Sequence, residues 1–193
     1  MTAFWYHLRL QLSTGTLAVL VLPLAAGVIT YGQPDPLPFA ELFWPVGAPV
    51  LMAALISREW EGGTAEVLFA RPASRGALLA GRVLVAATLM LSVCLVGWGT
   101  QAALGEPVGL GAALKAVMPG ALALGSVGLF TATITKNSAA GYLVPLAWWL
   151  IDWLTAGGYT GRFYLITDQK AYLYGLAGVA LLATWAAMVR RDR

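Results

Sequence analysis

The sequence has few charged residues. It contains 12 Lys and Arg and 9 Asp and Glu, or 11% of 193 residues, whereas a soluble domain carries about 25%. Hydrophobic residues make up 59% of the chain, and the mean hydropathy is +0.74. Because a soluble domain must cover its surface with residues of its own chain, this composition excludes a soluble enzyme or binding module. It indicates an integral membrane protein.

Cysteine and histidine are nearly absent. The single Cys94 cannot form an internal disulfide, and its apolar surroundings predict a buried thiol. The single His7 excludes histidine-based metal clusters and most histidine-dependent catalysis. No Gly-x-x-x-x-Gly-Lys-Ser/Thr loop is present, so the chain has no motif of its own for holding ATP phosphates. We therefore expect no enzyme activity and no metal site in this chain.

Six apolar runs are long enough, or nearly so, to cross a membrane as helices of about 20 residues. They lack the period-two alternation of a β-barrel, so we predict an all-α, polytopic membrane protein with one domain, residues 1–193. Glycines in the fourth run, including Gly125 and Gly128, predict a close helix-packing surface. The predicted spans are Thr16–Tyr31, Phe39–Ser57, Ala77–Trp98, Ala113–Thr135, Ser138–Thr155 and Ala171–Val189.

The basic residues predict the orientation of these spans. Nine of the twelve fall on the side that carries both termini, and the other three are Lys115, Arg162 and Lys170. The positive-inside rule therefore places both termini in the cytoplasm. We interpret the net charge of +3 as a consequence of the basic residues on the cytoplasmic side of the membrane, and we expect no nucleic-acid partner. Of the acidic residues within spans, we interpret Glu41 and Asp152 as solvated interfacial residues; the alternative is that Asp152 contacts cargo.

The cytoplasmic loop 58–75 has an unusual pattern. Gly62-Gly63 is typical of a helix end, Thr64 is a plausible N-cap for a new helix, and Glu66 suits its first turn. Pro72 ends that helix, which predicts two turns over residues 65–71 with Val67, Leu68 and Phe69 facing the cytosol. Since isolated helices this short are marginal in water, we expect it to dock on a partner; the alternative is that it lies among lipid headgroups.

This loop resembles the signature of type 2 ATP-binding-cassette (ABC) permeases. The resemblance implies a coupling helix that docks on a separate cytosolic ABC ATPase subunit, which binds ATP and Mg while this chain carries no cofactor. The residues that match the motif or flank it, and so would couple to the ATPase, are Glu59, Glu61, Gly63, Thr64, Glu66, Leu68, Phe69, Arg71, Pro72 and Arg75.

The amino-terminal residues 1–13 predict an interfacial helix, because Phe4, Trp5, Leu8 and Leu12 share one face. The resemblance implies an "elbow" helix here; the alternative is an inward extension of the first span. It also implies a second permease copy or a paralogue, surrounding lipid, and a cargo path along spans 2 and 5. That path would include Trp44, Trp148, Trp149 and Asp152.

With these patterns, the resemblance implies the permease subunit of an ATP-driven exporter, multi-pass in the inner (plasma) membrane of a prokaryote. One alternative is the substrate-binding membrane subunit of an energy-coupling-factor vitamin importer. Such subunits contact their partner through an Ala-x-x-x-Ala spacing that Ala18, Ala25 and Ala26 do not make. A purely structural or assembly membrane protein is a third interpretation.

Overall fold

The computed structural model describes residues 19, 21, 37–61, 75–105, 109–166 and 169–190. These residues form α-helices joined by turns and contain no β-strand, which confirms the all-α class. Short 3-10 turns cover Trp44–Val46 and Gly161–Phe163. The helices are α1 (Leu37–Phe43), α2 (Gly47–Glu61), α3 (Arg75–Ala103), α4 (Leu110–Thr135), α5 (Ser138–Thr155) and α6 (Ala171–Arg190).

Three of the described helices are long and apolar enough to cross a membrane. The segments are Leu79–Ala103, Leu110–Thr135 and Ala171–Met188, and they fall within or overlap the predicted third, fourth and sixth spans. Helix α5 has the predicted bounds of the fifth span, Ser138–Thr155. Of the predicted first span, only Val19 and Val21 are described, so a total of six spans stays a prediction.

The predicted second span, Phe39–Ser57, is not one continuous helix. It is divided into α1 and α2 by the 3-10 turn Trp44–Val46, and its apolar part is Ala40–Leu55. Pro45 lies in that turn, has no N–H to donate, and its ring crowds the carbonyl four residues earlier. The predicted second span is therefore interrupted at Pro45, as a proline within an apolar run indicates.

Helix α4 is the centre of the bundle and packs against α2, α5 and α6. Glycines permit the close approach. Gly125 lies against the side chain of Met52, and a Cβ atom on Gly128 would lie 2.7 Å from the carbonyl oxygen of Gly141. The predicted small-residue packing surface of the fourth span is thus confirmed, as is the buried thiol of Cys94.

Two of the apolar core clusters lie toward opposite ends of the bundle. One end joins α2, α3, α4 and α6 through a cluster of Met52, Leu55, Leu79, Ala86, Leu129 and Met188. The other end, which carries the loop between α5 and α6, is formed by Leu42, Ala123, Leu124, Leu165 and Leu173. Leu165 belongs to that loop and is fully buried, so the loop contributes to the core.

Candidate functional site

An aromatic cluster of Phe43, Trp149 and Trp153 joins α1 to α5. The indole N–H of Trp149 donates a hydrogen bond to the carbonyl oxygen of Leu42 at 2.8 Å. Trp153 stacks on Trp149 with ring centroids 5.6 Å apart, and Phe43 meets Trp149 edge-on at 5.8 Å. Because Trp153 remains 52% exposed, the cluster presents an aromatic surface where the predicted spans 2 and 5 meet.

Trp44 lies apart from this aromatic cluster. Its side chain is 1% exposed and belongs to a core cluster with residues of α3 and α4. A Cβ atom on Gly97 of α3 would lie 2.6 Å from the indole ring, so the tryptophan fills the space that this glycine leaves. The four predicted pathway residues are therefore divided: Trp148, Trp149 and Asp152 lie on α5, whereas Trp44 faces α3.

Asp152 is fully buried, with 0% of its surface exposed. Its Oδ2 atom accepts a hydrogen bond from the backbone N–H of Leu165 at 2.9 Å. The interpretation of Asp152 as a solvated interfacial residue was therefore wrong. The α5–α6 loop folds back over the carboxylate and replaces water with a backbone donor, as a buried carboxylate requires.

The peptide of Leu165 is held from its other side as well. Its carbonyl oxygen accepts a hydrogen bond from the Lys170 ammonium at 3.3 Å, and that ammonium lies 3.2 Å from Oε2 of Glu41. The Glu41 side chain is only 12% exposed, so it too differs from the solvated residue that we expected. Glu41, Asp152, Leu165 and Lys170 form what we call the loop clasp, which connects α1 and α5 to the loop that leads into α6.

The backbone immediately after α5 turns the chain back toward the residues of the loop clasp. Ala156 and Gly157 take positive φ values of 46° and 80°, and the Tyr164 ring packs over Gly157. Burial, followed by the negative charges of Asp152 and Glu41, raises the pKa of the Tyr164 phenol.

Sequence reasoning missed Leu165 and Lys170. The apolar run 163–166 between Arg162 and Lys170 was the available signal, since such a run is unusual in a solvated loop.

At the opposite end of the bundle, the predicted coupling loop connects α2 to α3 along the chain. Glu59 and Glu61 lie in the last turn of α2, and α3 begins at Arg75. Two turns inside α3, the buried Arg82 donates from Nη1 to the carbonyl oxygen of Leu55 at 2.6 Å. The remaining predicted coupling residues lie outside the described residues: Gly63, Thr64, Glu66, Leu68, Phe69, Arg71 and Pro72.

Comparison with known proteins gives one family match. The model of a family described as ABC-2 family transporter protein matches residues 8–154, which is more than half of the chain. The matched region includes the loop 58–75 and the helices α1 to α4 with nearly all of α5. No curated protein matches the chain.

Proposed function

Because the chain belongs to the ABC-2 family of transporter proteins, we propose that it is the permease subunit of an ATP-driven exporter. Family membership makes it a multi-pass membrane component of a transporter and implies association with an ABC ATPase. The observation that carries the proposal is the family match itself, since it covers the loop 58–75 between α2 and α3. The vitamin-importer alternative has no comparable support.

In this proposal, the loop 58–75 is the contact with the ATPase. A short helix over residues 65–71 docks through Leu68 and Phe69 into a groove of the partner, which binds ATP and Mg. Closure of the ATPase pair displaces the loop, and the displacement passes into α2 and α3. The chain contributes the pathway and the mechanical connection, and the phosphate chemistry takes place in the partner.

The cargo path lies along α1, α2 and α5 of two permease copies, or of one copy and a paralogue. The exposed ring of Trp153 and its stacked neighbour Trp149 favour cargo with an apolar or aromatic part, because such rings add favourable contacts beyond burial alone. The loop clasp lies beside this surface and holds the α5–α6 loop against it. The other exposed apolar side chains face membrane lipid.

Purification of the tagged chain from membranes of its native host tests this proposal. We expect a cytosolic subunit with a phosphate loop to co-purify, to be identified by mass spectrometry, and to hydrolyse ATP in the complex. The chain freed of that subunit should show no hydrolysis above a mock purification. Hydrolysis that stays with the chain alone, or a membrane complex that contains no ATPase subunit, would contradict the proposal.

A further inference from the structure

Arg82 is a buried cation between two helices. It is 3% exposed, although arginine is almost never fully buried unless its charge is paired or hydrogen-bonded. Its Nη1 atom lies 2.6 Å from the carbonyl oxygen of Leu55, a residue that precedes it by 27 positions. A short hydrogen bond from a charged donor is about twice as strong as a neutral one. The contact is therefore a strong polar connection between α2 and α3.

The hydrogen bond between Arg82 and Leu55 lies close to the coupling loop along both helices. Leu55 is about two turns before the last residue of α2, Glu61, and Arg82 is about two turns after the first residue of α3, Arg75. The hydrogen bond therefore joins the two helices that enter and leave the loop, at nearly equal distances from it. A displacement of the loop therefore acts on this bond and on the neighbouring contacts of Leu79 with the core.

Apolar packing between α2 and α3 is incomplete beside this bond. A cleft lies between α2, α3 and α4 and is lined by residues next to the contact, among them Leu51 and Met52 of α2 and Val83 and Ala86 of α3. Side chains that face a gap lose their dispersion contacts on that side. Beside this cleft, the bond from Arg82 adds a fixed and directional connection to the apolar contacts that α2 and α3 already make in the core.

We propose that Arg82 is a positioning residue for energy coupling: its hydrogen bond to Leu55 makes α2 and α3 move as one unit when the loop between them is displaced. This inference rests on the proposed function. Without the bond, the loop still binds the ATPase, because Arg82 lies inside the bundle. The displacement of the loop is then absorbed by a change in the spacing of α2 and α3. It does not reach the end of the bundle that carries the α5–α6 loop.

The test compares Arg82→Met with Arg82→Lys in the complex with the ATPase, in the Cys94→Ala background. Met keeps an unbranched side chain without a donor, whereas Lys keeps a cation that can reach the carbonyl. Lys115→Met is the matched control, since it removes an exposed cation from a distant part of the bundle. Three quantities are measured: ATPase co-purification, ATP hydrolysis, and labelling of Ile166→Cys by an impermeant maleimide with and without ATP and vanadate.

In the reference protein, which carries Ile166→Cys and keeps Arg82, we expect the labelling rate to change on addition of ATP and vanadate. Arg82→Met should keep assembly and hydrolysis but lose this response by about tenfold or more, the factor that a lost hydrogen bond to a charged group typically represents. Arg82→Lys should restore most of the response, and Lys115→Met should match wild type. A purely structural role would lower assembly, hydrolysis and labelling response together and would overturn the inference.

Spin labels at Val50 on α2 and Leu84 on α3 provide a second measurement. The distance between them should be the same in both nucleotide states of the wild type, and should change with nucleotide in Arg82→Met. If Arg82→Met does not assemble, Arg82→Gln takes its place in both measurements, because its amide nitrogen is two bonds nearer to the backbone than Nη1 of arginine and does not reach the Leu55 carbonyl. A variant that responds as wild type does, with an unchanged helix spacing, overturns the inference while the proposed function stands. A wild-type complex without ATP hydrolysis overturns both.

Discussion

The carboxylate of Asp152 accepts a hydrogen bond from the backbone N–H of Leu165 at 2.9 Å, and neither residue is exposed. This bond connects the last turns of α5 to a loop that is otherwise held by Lys170 and Glu41. The Asp152 carboxylate is therefore one of the groups that fix the position of the α5–α6 loop, together with Lys170, Glu41 and the buried Leu165 side chain. Since α5 also carries Trp149 and Trp153, a movement of this helix is transmitted to the loop and to the aromatic surface together.

Removal of the acceptor at position 152 should release the loop. Asp152→Ala leaves the Leu165 N–H without its partner, and hydrogen bonds to charged groups contribute about 1.5–3 kcal/mol. We expect the labelling rate of Ile166→Cys by an impermeant maleimide to rise by about tenfold or more in this variant. Asp152→Asn keeps an acceptor oxygen and is the matched control, with a labelling rate close to wild type. Equal labelling in the two variants would show that the hydrogen bond does not hold the loop.

A methyl group at Gly128 should destabilise the contact between α4 and α5. Its Cβ atom would lie 2.7 Å from the carbonyl oxygen of Gly141, and overpacking of a well-packed interior costs about 1–3 kcal/mol. We expect Gly128→Ala to lower the thermal unfolding midpoint of the purified chain in detergent.

Gly178→Ala is the control for this substitution. A Cβ atom at Gly178 of α6 meets nothing within 4 Å, and alanine is favoured over glycine in a helix by about 1 kcal/mol. The midpoint of this variant should equal or exceed that of wild type. If both alanine variants unfold at the same temperature, the close packing of α4 on α5 is not a determinant of stability.

The topology prediction rests on the nine basic residues on one side and three on the other. Single cysteines at Glu106 and Tyr159 in a Cys94→Ala background should be labelled by an impermeant thiol reagent in intact cells. Cysteines at Arg71 and Arg193 should react only after the membrane is permeabilised. Labelling at position 71 from outside would reverse the predicted orientation and would remove the loop 58–75 from the cytosol.

The sequence predicts the helices of this fold better than their interruptions. The fifth span was predicted at Ser138–Thr155, the observed bounds of α5, because an unbroken apolar run ends at Gly157-Gly158. A proline such as Pro45 within an apolar run indicates a bend, but proline kinks some helices and breaks others, depending on what re-satisfies the freed backbone groups. The division of the second span into α1 and α2 therefore required the structure.

The loop clasp was beyond sequence reasoning for a different reason. The partner of Asp152 is a backbone N–H thirteen residues later, and every non-proline residue of the loop offers the same group. Hydropathy shows that Asp152 lies near a span end, where carboxylates are normally solvated, and contains no information on how the following loop folds back. The contact between Trp44 and Gly97 is a similar case, since only the three-dimensional arrangement pairs a large side chain with a missing one.

The central claim is that this permease couples to a separate ATPase through the loop 58–75. Leu68→Asp removes the most central apolar side chain of the predicted coupling helix and places an unpaired carboxylate in the partner's groove. Truncation of such an interface residue costs about 1–3 kcal/mol or more, which corresponds to an approximately tenfold weaker complex or worse. Glu66→Ala should act more mildly, and Tyr159→Asp, at the exposed α5–α6 loop, is the control for an added charge.

The decisive measurement is co-purification of the ATPase with each variant, together with ATP turnover in the complex. The account predicts that Leu68→Asp loses most of the ATPase and its turnover, while the membrane level of the permease stays near wild type and Tyr159→Asp keeps both. Wild-type co-purification and turnover in Leu68→Asp would contradict the account, because this loop would then not be the coupling element.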